Sequence, residues 1–147
     1  MAGFTAYTRA TRWLYEVLTD PPITGVGLAV YEEAAPEGTT DATTVFIEFE
    51  AMDPGQDVAE VAANRIWTEF SFLVRALTRG RSSQSLEAIV DEIDNRLHRA
   101  DGTVNDGRIL SCTRSESGGA EVPESWLRQG VEYRGLGGIY NVIVQPL

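Results

Sequence analysis

Residues 65–77 read Arg-Ile-Trp-Thr-Glu-Phe-Ser-Phe-Leu-Val-Arg-Ala-Leu, and residues 86–97 read Leu-Glu-Ala-Ile-Val-Asp-Glu-Ile-Asp-Asn-Arg-Leu. In the first stretch, apolar side chains recur at every second residue, a pattern typical of a strand with one face on a core. In the second, they recur three or four residues apart, which predicts a helix with one buried stripe. We expect the strand and the helix to pack together and to organise the fold. The residues that we expect to be buried are Ile66, Phe70, Phe72, Val74 and Ala76 in the strand, and Leu86, Ile89, Val90, Ile93 and Leu97 in the helix.

Further elements lie on both sides of this unit. Residues 57–64 fit either a helical turn or the start of the strand that follows them. Strands beside segregated helices predict an α+β fold, in which helices pack on one face of an antiparallel sheet, and 147 residues suit a single domain. Apolar spacing predicts a helix over residues 4–19 and strands over residues 26–31, 45–50 and 108–114, with one or two strands over residues 131–144.

The composition limits the classes of protein to which the chain can belong. Its formal net charge is −10, and all 12 basic residues are arginine. Proteins that wrap nucleic acid need basic patches that release counterions from phosphates, so this acidic balance argues against such binding. We expect no membrane span and no secretory signal, because no apolar run has the required length. The lone cysteine fits a reducing compartment.

The residues provide weak candidates for catalysis. His98 and Cys112 are the only histidine and the only cysteine, so they form the only available nucleophile and base pair. A solvated histidine at a helix end and an inert cysteine inside a strand explain both residues better. The carboxylates Glu48, Glu50, Asp53 and Asp57 are clustered in sequence, but a solvated edge is the ordinary explanation for such a cluster.

Two short motifs resemble ligand-binding loops without matching them. Residues 101–107 read Asp-Gly-Thr-Val-Asn-Asp-Gly. A calcium loop has an acidic or amide ligand at its third position and glycine at its sixth, but this stretch has threonine and aspartate there. We therefore interpret the stretch as a helix-to-strand turn. Residues 135–138 read Gly-Leu-Gly-Gly and precede a strand, which favours a bulge or tight bend over a phosphate cradle. We therefore predict no catalytic residue, no cofactor and no metal.

Aromatic and charged residues outside the predicted core are candidates for a protein interface, because aromatics and arginine dominate interface energetics. For Trp67, a second core layer under the first helix is an equally good explanation. Residues 32–43 and 115–129 are polar and aperiodic, and we expect both to be loops that are mobile in the free subunit. The interface candidates are Trp67, Glu69, Arg75, Trp126, Tyr133 and Arg134.

Residues 67–145 resemble the tail terminator (tail completion) family of long-tailed bacteriophages. The resemblance lies in an aromatic strand ending in Leu-Val-Arg-Ala at 73–76, a serine-rich turn, and a helix that ends in Leu-His-Arg-Ala at 97–100. A strand with Cys-Thr-Arg follows at 112–114. The most specific match is the closing run Gly-Val-Glu-Tyr-Arg-Gly-Leu-Gly-Gly-Ile-Tyr at 130–140.

This resemblance implies a structural virion protein without enzymatic activity. Members of the family form a ring, typically a hexamer, that caps the tail tube, stops its polymerisation and presents a surface to the head-completion or connector protein. The resemblance implies assembly in the host cytoplasm, a place at the head-proximal end of the tail, and DNA that passes through the lumen. Six copies would carry about −60, a field that repels DNA. The alternatives are a head–tail connector or neck subunit and a small α+β enzyme that uses Cys112 and His98.

Overall fold

The structure is a computed structural model that describes residues 2–33, 35, 45–52, 56–61, 64–79, 86–104, 107–115, 124–128 and 131–146. The described helices are α1 (Ala2–Thr19) and α2 (Glu87–Leu97). The described strands are β1 (Val30–Glu32), β2 (Val45–Ala51), β3 (Gln56–Val61), β4 (Asn64–Thr78), β5 (Ala100–Val104), β6 (Gly107–Arg114), β7 (Glu124–Arg128) and β8 (Val131–Pro146). They form one sheet in the order β1-β2-β4-β8-β6-β5, while β3 pairs with β4 and β7 pairs with β8.

The two longest strands form the centre of the sheet. β4 and β8 are antiparallel and pair without a register shift from Thr68↔Val144 to Thr78↔Arg134. The first residues of β4 also pair with β3, and the first residues of β8 pair with β7. Because β4 and β8 run in opposite directions, the β3–β4 and β7–β8 hairpins lie at opposite ends of the sheet.

Both helices contribute to a core on one face of this sheet. In β4 the even-numbered residues Phe70, Phe72 and Val74 are buried, as the alternating pattern predicts. The predicted stripe of α2, from Leu86 to Leu97, is buried over all five positions, and the predicted first helix corresponds to α1. The predicted α+β class is therefore confirmed.

The sheet is mixed, so the prediction of a purely antiparallel sheet is wrong at one edge. β1 runs parallel to β2, with Val30 opposite Ile47. A parallel pair needs a connection long enough to return to the same end of the sheet, and residues 33–44 supply that length. The strand predicted over residues 26–31 is reduced to Val30–Glu32, because turns precede it and Gly27 takes a positive φ of 65°.

Three further strands depart from the sequence interpretation. Neither alternative for residues 57–64, a helical turn or the start of the following strand, describes Gln56–Val61, which is a separate strand paired with β4. The predicted loop over residues 115–129 is wrong at Glu124–Arg128, which pairs with β8. The interpretation of residues 101–107 as a helix-to-strand turn is also wrong, because α2 already ends at Leu97 and Ala100–Val104 forms β5. Residues 34 and 36–43 of the first predicted loop and residues 116–123 and 129 of the second lie outside the described residues, so their expected mobility stays a prediction.

The glycine run at residues 135–138 contains neither a bulge nor a bend, contrary to the prediction. All four residues pair in register with β4. Gly137 lies opposite Arg75, and a Cβ atom on Gly137 would lie 2.3 Å from the carbonyl oxygen of Val74. Glycine at this position therefore allows close approach of two backbones inside the central strand pair. Register shifts occur instead in the neighbouring strand pairs β5–β6 and β6–β8.

Candidate interaction surfaces

The geometry around Cys112 does not favour an activated nucleophile. The thiol is buried on the helix-covered face of β6, and burial, assisted by the charge of Asp94, raises its pKa to about 12. His98 Nδ1 accepts a hydrogen bond from the backbone N–H of Arg114 at 3.0 Å, so that nitrogen is already engaged. Because the thiolate is the reactive form, Cys112 stays protonated and inert near neutral pH.

We expect Cys112 to react with a thiol reagent at pH 8 at least about a thousandfold more slowly in the folded protein than in urea. A pKa near 12 leaves roughly one thiol in ten thousand ionised at pH 8, against about one in ten for an unfolded cysteine. The measurement is absorbance-monitored thiol labelling. His98→Asn, which keeps an acceptor for the Arg114 N–H, is expected to label at the wild-type rate. Fast labelling that His98→Asn slows would support a dyad instead.

Asp94 links α2 to two strands. The Tyr140 hydroxyl donates a hydrogen bond to Asp94 Oδ1 at 2.9 Å, and Arg114 Nη1 lies 3.6 Å from the same oxygen. Burial and this hydrogen bond raise the pKa of Tyr140. The contact secures the helix over β6 and β8. No sequence pattern marks this contact, because the three residues are 20 or more positions apart and no periodicity relates them.

The clustered carboxylates do not form one site. Glu48 was expected at a solvated edge, and that expectation is wrong: only 1% of its side chain is exposed. Its Oε1 lies 3.3 Å from Arg75 Nη2, and its Oε2 accepts a hydrogen bond from the backbone N–H of Ala35 at 2.8 Å. Glu50 lies 3.7 Å from Arg75 Nη1, Asp53 lies outside the described residues, and Asp57 is a β3 residue. Glu48 and Arg75 thus form a buried ion pair on the helix-free face of the sheet.

The described ranges contain neither a group of metal ligands nor a membrane-spanning helix. In that part of the chain, no three His, Cys, Asp or Glu side chains are grouped to hold an ion. Neither described helix is both long and apolar enough to cross a bilayer.

The interface candidates are spread over the sheet. Glu69 lies opposite Ile143 on the helix-free face, and Arg75 contacts Glu48 within the subunit. The ring of Tyr133 packs edge-on against Phe46, with centroids 6.0 Å apart, while Arg134 is exposed beside it in sequence. Trp67 lies in β4 opposite Ala59, and Trp126 lies in β7 opposite Tyr133; their side chains are outside the described part. The six residues therefore do not converge on one pocket.

The helix-free face of the central strand pair is half-buried around Leu73 and Ile139. Leu73 lies opposite Ile139, and both side chains are partly exposed. Between these apolar side chains and Ile143, Ser71 Oγ contacts Asn141 Oδ1 at 2.9 Å. This arrangement of apolar and satisfied polar side chains is typical of a surface that can contact another protein.

A second feature lies between α1 and the edge strand β1. A groove of about 440 Å³ separates the two elements, with Arg12 and Tyr15 on the helix side and Val30 and Glu32 on the strand side. The Tyr7 hydroxyl donates a hydrogen bond to Glu32 Oε1 across the same two elements. Leu28, just before β1, is 65% exposed, and Tyr15 is 42% exposed. Large apolar side chains this exposed beside a sheet edge are typical of a contact site.

These features define an α+β sheet protein with partly exposed apolar side chains on the helix-free face of the sheet and beside the β1 edge. No protein-family model matches the chain, and no curated protein matches it either. Among solved structures, the chain is similar to a chain of the "Virion of native gene transfer agent (GTA) particle", with a TM-score of 0.66 and 17% sequence identity. The match covers 95% of this chain and 97% of that chain. At this identity, the likeness establishes a shared fold.

Proposed function

We propose that the protein is a structural virion protein and, within that class, a tail terminator. In this role it assembles into a ring, a hexamer by analogy with the tail terminators that it resembles, which caps the tail tube and ends its polymerisation. The observation that carries the proposal is the fold shared, over 95% of this chain, with a chain of a gene transfer agent virion. The resemblance of residues 67–145 to tail terminators is the independent argument for the finer assignment.

The shape of the described sheet is compatible with this role. A terminator needs one surface for the tail tube and another for the head-completion or connector protein. The β3–β4 and β7–β8 hairpins lie at opposite ends of the central strand pair and supply two such surfaces. Two-stranded ribbons gain little stability alone in water, so contacts with a partner would stabilise both hairpins.

The charge of the chain is compatible with a ring through which DNA passes. Each copy carries −10, so a lumen lined by several copies repels the phosphate backbone and does not retain it. In this proposal DNA only passes through the lumen, and the protein has no membrane, cofactor or metal. The ring assembles in the host cytoplasm and becomes part of the virion at the head-proximal end of the tail.

Gel filtration with multi-angle light scattering tests the ring. We expect the chain, alone or after mixing with tail-tube protein of the same virion, to elute with a mass of about six copies, in keeping with closed symmetric assemblies. A chain that stays monomeric and binds neither tube nor connector would contradict the proposal. Binding to the connector but not to the tube would favour the alternative, a connector or neck subunit.

An enzyme that uses Cys112 and His98 is the candidate from another class. The raised pKa of the thiol and the hydrogen bond that occupies His98 Nδ1 weigh against it. The thiol-labelling experiment described above distinguishes this alternative from a structural role.

A further inference from the structure

The sheet has two different outer strands within the described part of the chain. β1 ends the strand order on one side and β5 ends it on the other, separated by four intervening strands. At about 4.8 Å per strand spacing, the two edges are roughly 24 Å apart along the sheet. α1 packs against both, since Trp13 lies against Gly102 of β5 and Tyr15 lines the groove beside β1. The two edges therefore lie on opposite sides of α1.

The main-chain N–H and C=O groups of β1 alternate between β2 and the outer edge of the sheet. The carbonyl of Ala29 accepts a hydrogen bond from Ile47, and the N–H of Glu33 donates one to Phe49, so these residues face β2. Because alternate residues of a parallel strand bond to opposite sides, the main-chain groups of Val30 and Glu32 face the outer edge, where the N–H of Val30 donates to the Leu28 carbonyl at 2.8 Å. An added strand can pair with such an edge by main-chain hydrogen bonds while adjacent pockets accept its side chains.

The charges of the two edges are complementary. The β1 edge surface, which we define as Arg12, Tyr15, Leu28, Glu32 and Glu33, exposes two acidic residues that follow one another in sequence. The β5 edge surface, which we define as Arg99, Asp101, Thr103 and Arg108, exposes two arginines and one aspartate. Arg108 and Thr103 are direct partners in the β5–β6 pair.

Local complementarity matters because the chain as a whole is acidic. Two copies, each with a net charge of −10, repel one another at long range, so a contact in which opposite charges meet is favoured over one in which like charges meet. On the β1 edge surface, the acidic pair Glu32 and Glu33 outweighs Arg12. On the β5 edge surface, the basic pair Arg99 and Arg108 outweighs Asp101, so the two surfaces have net charges of opposite sign. A contact between unlike edges joins these pairs, whereas a contact between like edges opposes them.

We propose that the β5 edge surface of one copy docks on the β1 edge surface of the next, beside the groove under α1. This inference rests on the proposed ring and names the surfaces that close it. The contact is heterologous, so repetition with a suitable rotation forms a closed ring. It covers Leu28 and Tyr15, the two exposed apolar side chains nearest the β1 edge.

Charge reversal in two separate chains tests this contact. The first variant, Glu32→Arg with Glu33→Arg, makes the β1 edge surface basic; the second, Arg99→Glu with Arg108→Glu, makes the β5 edge surface acidic. Each alone opposes like charges, and we expect the concentration needed for assembly to rise at least about tenfold. Mixed in equal amounts, the two variants restore opposite charges at every contact of an alternating ring, and assembly should return.

The matched control is Glu87→Arg with Asp91→Arg. It reverses two exposed charges of α2 and should assemble like the wild type.

Thiol cross-linking gives a second readout that does not depend on charge. Thr8 lines the groove beside β1, and Thr103 belongs to the β5 edge surface. Both are exposed and Cys112 is buried, so cysteines placed at these two positions would be the accessible thiols of the described part. A short bismaleimide should convert the Thr8→Cys, Thr103→Cys double variant into a ladder of multimers. Each single variant should give no dimers, because a heterologous contact never brings two identical positions together. Far-ultraviolet circular dichroism verifies that every variant is folded.

The outcomes separate this inference from the function on which it rests. If the wild type forms a ring and both reversed variants assemble equally well, the proposed contact is wrong while the terminator proposal stands. Dimers from either single-cysteine variant would indicate a two-fold contact and would also overturn it. If the wild type forms no ring, with or without tail-tube protein, the proposed function itself fails, and this contact fails with it.

Discussion

Gly137→Ala is expected to lower the free energy of unfolding by about 2 to 3 kcal/mol, near the upper end for overpacking a well-packed site. The added Cβ would lie 2.3 Å from the Val74 carbonyl oxygen and 2.7 Å from Arg75 Cα. Both are backbone atoms of the longest strand pair, so relief requires β4 and β8 to separate. Urea denaturation followed by circular dichroism measures the loss.

Gly138→Ala is the matched control, because it adds the same methyl group one residue further along β8. Its Cβ would meet Arg114 Nε at 3.2 Å, and this atom belongs to a long side chain that can move. Alanine also gains about 0.5 to 1 kcal/mol over glycine in a strand, so the net change should be less than about 1 kcal/mol. Equal losses at both positions would show that Gly137 is not needed for close approach.

Arg75→Met is expected to cost about 3 to 5 kcal/mol, the usual result of removing one partner of a buried ion pair. The substitution retains an apolar stem but removes the guanidinium 3.3 Å from Glu48, whose side chain is only 1% exposed. Adding Glu48→Gln should recover part of this loss, because a neutral amide is less costly to bury than a carboxylate. The measurement is again the midpoint and slope of urea unfolding.

Glu50→Gln is the control for Arg75→Met. Glu50 is 43% exposed and lies 3.7 Å from Arg75, so solvent screens the pair and the expected loss is below about 1 kcal/mol. If Arg75→Met costs no more than Glu50→Gln, Arg75 does not stabilise a buried charge. Its predicted role as an interface residue would then be the better explanation of its position.

The periodic part of the fold could be predicted from sequence. The alternation in β4 and the helical stripe of α2 are repeated patterns, and all the stripe residues are buried as expected. Irregular features could not be predicted in this way. β1 and β7 have three and five residues, so neither contains enough positions for a period to show, and their pairing is set by tertiary contacts. A strand of three residues also gives no sign of its direction, so the sequence did not predict that β1 runs parallel to β2.

The interaction surfaces were less predictable than the fold. The alternating pattern of β4 places Arg75 on the face opposite the core. The sequence contains no sign that Arg75 pairs with Glu48, which is 27 residues away. Glu48 follows the pattern of an outward-facing residue, yet its neighbours bury it. The edge surfaces depend on strand order, because only the order shows that residues near 32 and near 100 lie at opposite ends of the sheet.

Electron microscopy of assembling tail tubes is the measurement that tests the proposed function most directly. When the protein is added to tail-tube protein of the same virion during polymerisation, we expect shorter tubes, each with a ring of extra density at one end. The variant with Arg99→Glu and Arg108→Glu should leave tube length unchanged. Wild-type protein that neither binds tube ends nor changes tube length would contradict the account.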